Sequence, residues 1–401
     1  MDQETIYQVL KREIRDRKIP LSLGKTCPVK CTFCYEKDHS YYRKTFDIPL
    51  TTQEHWRFIL DEIKKMPTRS QESWVIGGNE YMEWTDLFLH PRCMEWIEEF
   101  LETTDKNIIM FTVGYVEPKR INRLAEKYPG RINFELSVIT LGKYRKQLMP
   151  NGPTAEQVLK IIDGPAVTSA NFYSFGPQTM SADAKAISKI NQKCLLWMGC
   201  LTPLKTLDEE TTRVTRIGRQ HLPDEARRIY ESDLPNIQMI HTESYITAFL
   251  NRKKIAKTLD SCELEKSDSV VMAGNVYRVL SMMRPNRARY LYVPNATLGG
   301  DSDCSTLLTF NDVAARLSNQ KRVYLPKVIM EGSSNEEKDI SGNYFEDFAA
   351  RFPRIQFKVL KKVNSTLSNR KLYEKGYLRN YVEDYLGNPL SKKFESIRLP
   401  N

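Results

Sequence analysis

Short apolar segments alternate with charged, helix-like stretches over roughly the first 240 residues, and this alternation limits the possible fold more than any other feature of the sequence. The apolar segments are IPLSLG (19–24), SWVIGG (73–78), NIIMFTVGY (107–115), RINFELSVI (131–139), ANFYSFG (170–176) and CLLWMGCL (194–201). Strands that alternate with helices in this way are typical of βαβ units. The sequence therefore predicts an α/β fold in which six βα units form a parallel sheet that curls into a partial barrel.

The pattern changes near residue 270, where apolar segments are separated by turns that contain glycine and serine. We interpret the chain as a partial barrel over 1–245, a connecting helical segment over 246–270 and a smaller C-terminal α/β domain over 271–360. A basic extension rich in tyrosine follows over 361–401. In a barrel of βα units, chemistry collects at the carboxyl ends of the strands, so candidate site residues are sought there.

Composition narrows the classes of function. No segment approaches the ~20 consecutive apolar residues that a membrane-spanning helix needs, so no membrane partner is expected. The N-terminal sequence MDQETIYQVLKREIRDRK lacks the apolar core of a secretory signal. We therefore expect a cytoplasmic protein whose eight cysteines are reduced and free to bind metal or to react. The formal net charge of +10 favours an anionic partner, and nucleic acid is one candidate.

The sequence CPVKCTFCY places Cys27, Cys31 and Cys34 in a C-x3-C-x2-C spacing directly after the first apolar segment. Three thiolates on one short loop can ligate three irons of a 4Fe-4S cluster and leave the fourth iron open to a substrate or cofactor. A zinc site is the alternative, but zinc sites usually add a second cysteine pair or histidines, and His39 is the only nearby candidate.

This triplet, with Phe33 before its last cysteine, resembles that of the radical S-adenosylmethionine (SAM) superfamily. The resemblance implies a partial (β/α)6 barrel and a 4Fe-4S cluster whose open iron chelates the amino and carboxylate groups of SAM. One electron then cleaves SAM to a 5′-deoxyadenosyl radical, which abstracts hydrogen from a substrate. An electron donor such as flavodoxin or ferredoxin is implied as a partner.

Further residues resemble the SAM-binding motifs of this superfamily. The second apolar segment ends in Gly77, Gly78, Asn79 and Glu80, which resembles the Gly-Gly-Glu motif except that Asn79 stands where glutamate is usual. In such a motif glycines let the backbone approach SAM, and polar groups accept hydrogen bonds from its ammonium group. The sequence leaves open whether Glu80, Asn79 or the main chain accepts them.

The segment NFELSVI alternates polar and apolar residues, so Asn133, Glu135 and Ser137 are predicted to share the interior face of a strand. Because buried polar groups need partners, this row indicates a polar ligand. The resemblance implies that Glu135 and Ser137 contribute to SAM binding. Arg145 follows at the position of an arginine that many members have, which makes it a candidate for the SAM carboxylate. Lys143 and Lys146 are the alternatives.

Other cysteines carry weaker signals. Cys200 lies near the end of the sixth predicted strand and Cys304 lies in the C-terminal unit, and both are candidates for a thiol that assists catalysis. A small buried thiol that fills the core is the alternative for Cys200. A second cluster built from Cys194, Cys200, Cys262 and Cys304 also remains open, although their spacing resembles no known cluster module.

The C-terminal unit resembles the C-terminal domain of a radical SAM family of unknown chemistry. The matching positions are Asn295, Gly299, Leu307, Leu308, Thr309, Asp312, Leu325, Pro326 and Met330. Together these features favour a radical SAM enzyme that acts on an unidentified substrate, which is a peptide, an RNA base or an anionic metabolite. A non-catalytic iron–sulfur redox sensor or nucleic-acid-binding protein is the rival class.

Overall fold

A computed structural model provides the structure of the chain. The residues it describes are 3–15, 17–23, 27–34, 49–67, 73–76, 86–201, 207–232, 234, 237–241, 244–285, 288–297, 308–330, 338–339, 341, 343–360 and 377–400. The chain divides into two compact units. The first comprises Met1–Met198, Ile217–His221 and Glu231–Ile237, and the second comprises Gly199–Arg216, Leu222–Tyr230 and Gln238–Asn401.

The first sheet has seven strands that follow one another in chain order. They are β1 (Lys18–Ile19), β2 (Ser73–Ile76), β3 (Asn107–Thr112), β4 (Ile132–Ile139), β5 (Val167–Tyr173), β6 (Leu195–Gly199) and β7 (Ile237–His241). The strands from β1 to β5 pair in parallel. Because parallel strands run in one direction, the carboxyl ends of these five lie along one edge of the sheet. The prediction of an α/β fold built on a parallel sheet is confirmed. Among the described strands β1 and β7 stand at the two edges, so the sheet is open.

One helix precedes β1 and the others lie in the connections between the strands, as the sequence pattern predicts. They are α1 (Gln3–Arg15), α2 (Gln53–Lys64), α3 (Cys93–Thr103), α4 (Pro118–Lys127), α5 (Arg145–Leu148), α6 (Ala155–Ile162), α7 (Thr179–Ile190) and α8 (Glu209–Glu231), with a 3-10 turn at Leu87–Leu89. The second of these shows why such segments are helical. Thr52 caps α2 through a reciprocal capping box with His55, and Trp56, Ile59 and Ile63 then recur on one buried face.

The strands of the first sheet have two different faces. In β4 the side chains of Phe134, Leu136 and Val138 are fully buried and belong to the core. The intervening polar residues Glu135 and Ser137 are half-buried. This is the alternation that NFELSVI predicts, and it places the polar row on the opposite face from the core side chains.

The second unit contains a smaller parallel sheet, as predicted for an α/β unit. Its strands are β8 (Ser269–Met272), β9 (Arg289–Tyr292), β10 (Arg322–Pro326) and β11 (Gln356–Leu360), in the spatial order β11-β10-β8-β9. A core that includes Val271, Leu325 and Phe348 packs against them. Asp268, just before β8, accepts hydrogen bonds of 2.6 and 3.0 Å from Nε and Nη2 of Arg322 on β10. This bidentate pair fixes the start of two neighbouring strands.

Helices complete the second unit. They are α9 (Ser244–Leu250), α10 (Arg252–Asp260), α11 (Gly274–Met283), α12 (Phe310–Ala314), α13 (Phe345–Ala350), α14 (Tyr377–Arg379) and α15 (Pro389–Ser396), with a 3-10 turn at Lys327–Met330 and a π-helix at Asn380–Leu386. Part of the predicted C-terminal extension is thus folded. Tyr385 and Phe394 are buried there and pack edge-on against Phe249. Among the described residues, no helix combines the length and the apolar character that crossing a membrane requires.

Candidate metal and cofactor site

The three cysteines lie on a loop that is hydrogen-bonded to the segment following β4. The backbone N–H of Thr32 donates to the carbonyl of Leu148 (2.9 Å), and the side-chain amide of Asn151 donates to the carbonyl of Pro28 (2.9 Å). Val29 is almost fully buried and anchors the loop. Lys30 has a φ of 54°, in the left-handed region, which turns the chain sharply between the first two cysteines. The loop is therefore held at the carboxyl end of β4.

The thiols of Cys27, Cys31 and Cys34 lie close enough to interact electrostatically. Burial raises the pKa of the Cys31 thiol, and negative charge on Cys34 and Cys27 raises it further. The positive charge of Arg145 acts in the opposite direction and lowers this pKa. All three cysteines are partly exposed, and so is Phe33 between them.

The donor set fits an iron–sulfur cluster better than a hard cation, because thiolates are soft ligands. The described part of the chain contains no group of three His, Cys, Asp or Glu side chains already arranged to hold a metal ion. The sulfur atoms of the loop would therefore have to converge when a cluster binds.

Glu135 forms a polar pair with an asparagine on the next strand. The side-chain amide of Asn171 on β5 donates to Oε1 of Glu135 at 3.0 Å. Burial raises the pKa of Glu135, and the hydrogen bond from Asn171 opposes that shift. Ser137 lies opposite Asn171 in the parallel register. Oδ1 of Asn171 is buried and has no hydrogen-bond partner, so this pair offers unused acceptor capacity.

Arg145 is buried, whereas the alternative cations Lys143 and Lys146 are exposed. Its Nε donates to the carbonyl of Pro153 (2.6 Å), and its Nη1 donates to the carbonyls of Val138 and Thr140. Burial lowers the pKa of Arg145 to about 10. Nη2 is buried without a hydrogen-bond partner. Nε and Nη1 of the guanidinium group are therefore bonded to backbone carbonyls, and Nη2 remains able to donate to a ligand.

Along β6, one set of alternating side chains is buried, and this set begins with Cys194. Cys194, Leu196 and Met198 are fully buried, while Leu195 and Trp197 on the other row are half-buried. Cys200 follows the strand and is also buried, with 6% of its surface exposed. A buried thiol is what the core-filling interpretation of Cys200 expects.

Several predicted site residues lie outside the described part of the chain. They are Gly77, Gly78, Asn79, Glu80 and Cys304. The SAM-binding roles of the first four and the catalytic role of Cys304 therefore stay predictions.

Sequence reasoning missed two groups at this edge of the sheet. Asn171 is one, because only strand pairing brings it to Glu135. Asp86 is the other: its buried carboxylate accepts hydrogen bonds from Thr112 (2.6 Å) and from the backbone N–H groups of Val113 (2.8 Å) and Phe88 (3.1 Å). Burial raises the pKa of Asp86 despite these bonds. The apolar-to-polar alternation of ANFYSFG was a usable signal for Asn171, whereas Asp86 had none.

Comparison with known proteins gave no assignment. A scan of the sequence against protein-family models found no matching family, and a search of curated proteins found no matching relative.

Proposed function

We propose that this chain is a radical SAM enzyme with a partial (β/α)6 barrel. It would hold a 4Fe-4S cluster through Cys27, Cys31 and Cys34 and act on an unidentified peptide, RNA base or anionic metabolite. One observation carries the proposal: a loop with three thiols is fixed to the carboxyl end of β4, where Arg145 keeps an unpaired N–H edge. Thiol ligands and cofactor-binding groups would need this proximity to serve one site.

The residues at the end of β4 have the chemistry that SAM binding requires. Nη2 of Arg145 could donate a charge-assisted hydrogen bond to the carboxylate of SAM. Glu135 and Oδ1 of Asn171 could accept hydrogen bonds from ribose hydroxyls or from the ammonium group. A buried polar pair with an unused acceptor is costly in the empty protein, and a ligand donor would remove that cost.

When bound, cluster and SAM would together supply a 5′-deoxyadenosyl radical for hydrogen abstraction. The role of the chain would be to orient SAM, hold the substrate and exclude water from the radical. A cytoplasmic location, an electron donor such as flavodoxin or ferredoxin, and a thiol role for Cys200 or Cys304 belong to the same proposal.

The test is reconstitution of the full chain with iron and sulfide without oxygen, followed by incubation with SAM and dithionite. We expect 5′-deoxyadenosine to form at a rate well above that of the unreconstituted protein. Cys27→Ala should abolish product, because the cluster would lose one of its three ligands. Cys93→Ala is the control, since Cys93 lies at the start of α3 and belongs to neither proposed cluster.

The outcomes separate the rival classes. A cluster spectrum without SAM cleavage would favour an iron–sulfur redox sensor. Zinc retained in place of iron, together with sequence-selective binding to DNA or RNA, would favour a nucleic-acid-binding protein. Product formation that survives Cys27→Ala would contradict the assignment of the loop.

A further inference from the structure

The strand β4 ends in a strained turn. Ile139 has a φ of 64°, and the N–H of Thr140 donates to the carbonyl of Val138 at 2.8 Å, which closes a three-residue turn around Ile139. A β-branched residue rarely adopts a positive φ, because its side chain crowds the backbone. The pairing with β5 also shifts register between Ser137 and Ile139. Such strain persists only where the surroundings hold it, and it is commonly found at functional sites.

Arg145 is the group that holds this turn. Its Nη1 donates to the carbonyls on both sides of Ile139, those of Val138 and Thr140. Its Nε donates to the carbonyl of Pro153, at the far end of the connection between β4 and α6. One planar guanidinium therefore ties together the two ends of this connection. A flexible ammonium group has no comparable fork.

The same connection carries the cysteine loop. Residues 140–153, which we call the platform, supply the carbonyl of Leu148 to the N–H of Thr32 and the amide of Asn151 to the carbonyl of Pro28. Thr32 is the neighbour of Cys31 in the sequence, and the charge of Arg145 reaches the Cys31 thiol. Asp183 on α7 supports the platform from another side, because Oδ2 accepts a hydrogen bond from the N–H of Leu141 (3.1 Å).

We propose that Arg145 is a positioning residue that locks the strained turn at Ile139 and thereby fixes the platform on which the three-cysteine loop rests. This role is separate from any contact between Nη2 and a cofactor. It concerns the metal-free protein, and only its consequence for cluster assembly rests on the proposed function.

Hydrogen exchange of the full-length, reduced, metal-free protein tests the proposal. We expect Arg145→Gln and Arg145→Lys to speed exchange of the Thr32 amide by roughly tenfold or more, because both lose the fork that fixes the platform. The Ile108 amide, bonded to the carbonyl of Arg131 within the first sheet, should keep its rate and reports global stability. Lys146→Gln is the matched control, since it removes a neighbouring, exposed charge.

Two further variants keep the test decisive if an Arg145 variant does not fold. Asn151→Ala removes one exposed contact between platform and loop and should speed exchange of the loop amides with the Ile108 rate unchanged. Ile139→Gly relieves the strain that Arg145 is proposed to hold, so Arg145→Gln should have a smaller effect in that background. A general loss of packing would show no such coupling.

Unchanged exchange at Thr32 in the folded Arg145 variants would overturn the proposal. If Arg145→Gln does not fold alone, failure of Ile139→Gly to restore its folding would overturn the proposal equally. So would full additivity with Ile139→Gly. Iron content after reconstitution provides an independent reading: Arg145→Gln should retain less iron than Lys146→Gln. If no variant or parent binds iron, the proposed function fails while the exchange result still decides the role of Arg145.

Discussion

Glu135 and Asn171 form a polar pair that is not fully satisfied within the protein. Glu135 is half-buried and accepts one hydrogen bond from Asn171, whose own carbonyl oxygen is buried without a partner. The two side chains therefore bring several acceptor oxygens together with one donor between them. If the pair served stability alone, a glutamine at position 135 would be better than the glutamate, because its amide could both accept from and donate to Asn171.

We predict that Glu135→Gln stabilises the ligand-free protein at neutral pH by about 1 kcal/mol, because a glutamine amide can donate to Oδ1 of Asn171. The raised pKa of Glu135 sets the pH dependence. Above its ordinary value of 4.5 the folded state binds more protons than the unfolded state, so the free energy of unfolding falls as pH rises toward the raised value. Glu135→Gln should remove that fall.

Denaturant titrations of parent and variant between pH 4 and 8 check this prediction, since they give the free energy of unfolding directly. Ser137→Ala is the control, because it lies on the same face of β4 but takes no part in the pair. If Glu135→Gln is more stable and also loses SAM binding, the carboxylate is retained for a ligand. A variant that is less stable at neutral pH would contradict the account.

At the scale of elements, α8 packs closely on the chain that follows β5. Gly218 lies within α8, and a Cβ atom there would overlap the backbone carbonyl of Ser174. Backbone cannot move aside as a flexible side chain can. The lack of a side chain at this position therefore sets how closely the helix approaches the carboxyl end of the sheet.

Gly218→Ala consequently tests the packing of this helix. In an exposed helix this change stabilises by about 0.5–1 kcal/mol, whereas here we expect destabilisation of about 1–3 kcal/mol because the methyl group meets backbone. Thermal unfolding measures the sign. Gly142→Ala is the control, because Gly142 is exposed and a Cβ atom there would meet only Oγ1 of Thr140, at 3.4 Å. A gain in stability at Gly218 would show that α8 packs less closely.

The whole chain divides into two compact units and contains two sheets, one of seven strands and one of four. The formal charge of +10 is the sum over the whole chain. A net positive charge attracts polyanions without selecting among them. Salt dependence and sequence preference therefore distinguish non-specific attraction from binding at a dedicated nucleic-acid interface.

We predict that the protein binds duplex DNA or RNA weakly at about 50 mM salt and loses that binding near about 200 mM, with no sequence preference. Fluorescence anisotropy with two unrelated duplexes and one single-stranded RNA measures both properties. Binding that persists at the higher salt with one of these probes would favour a nucleic-acid substrate, and would make the RNA base the leading choice among the three substrate classes.

The sequence alone determined the features that depend on local pattern. Alternation of short apolar segments with charged helices predicted an α/β fold with a parallel sheet, because strand and helix periods are written in consecutive residues. The alternation within NFELSVI likewise assigned Glu135 to the polar face of β4. The spacing of Cys27, Cys31 and Cys34 predicts soft-metal ligand chemistry, since all three thiols belong to one short segment, and this stays a prediction.

The tertiary structure decided what those residues meet. Asn171 reaches Glu135 only because β5 pairs with β4 in a particular register. From the sequence, Arg145 is a cation available to a ligand. In the structure its partners are backbone carbonyls. Every residue has a carbonyl, so no sequence pattern predicts which ones Arg145 binds. The strain at Ile139 is invisible in the sequence for the same reason: a backbone conformation held by its surroundings is a property of the folded chain, not of the residue.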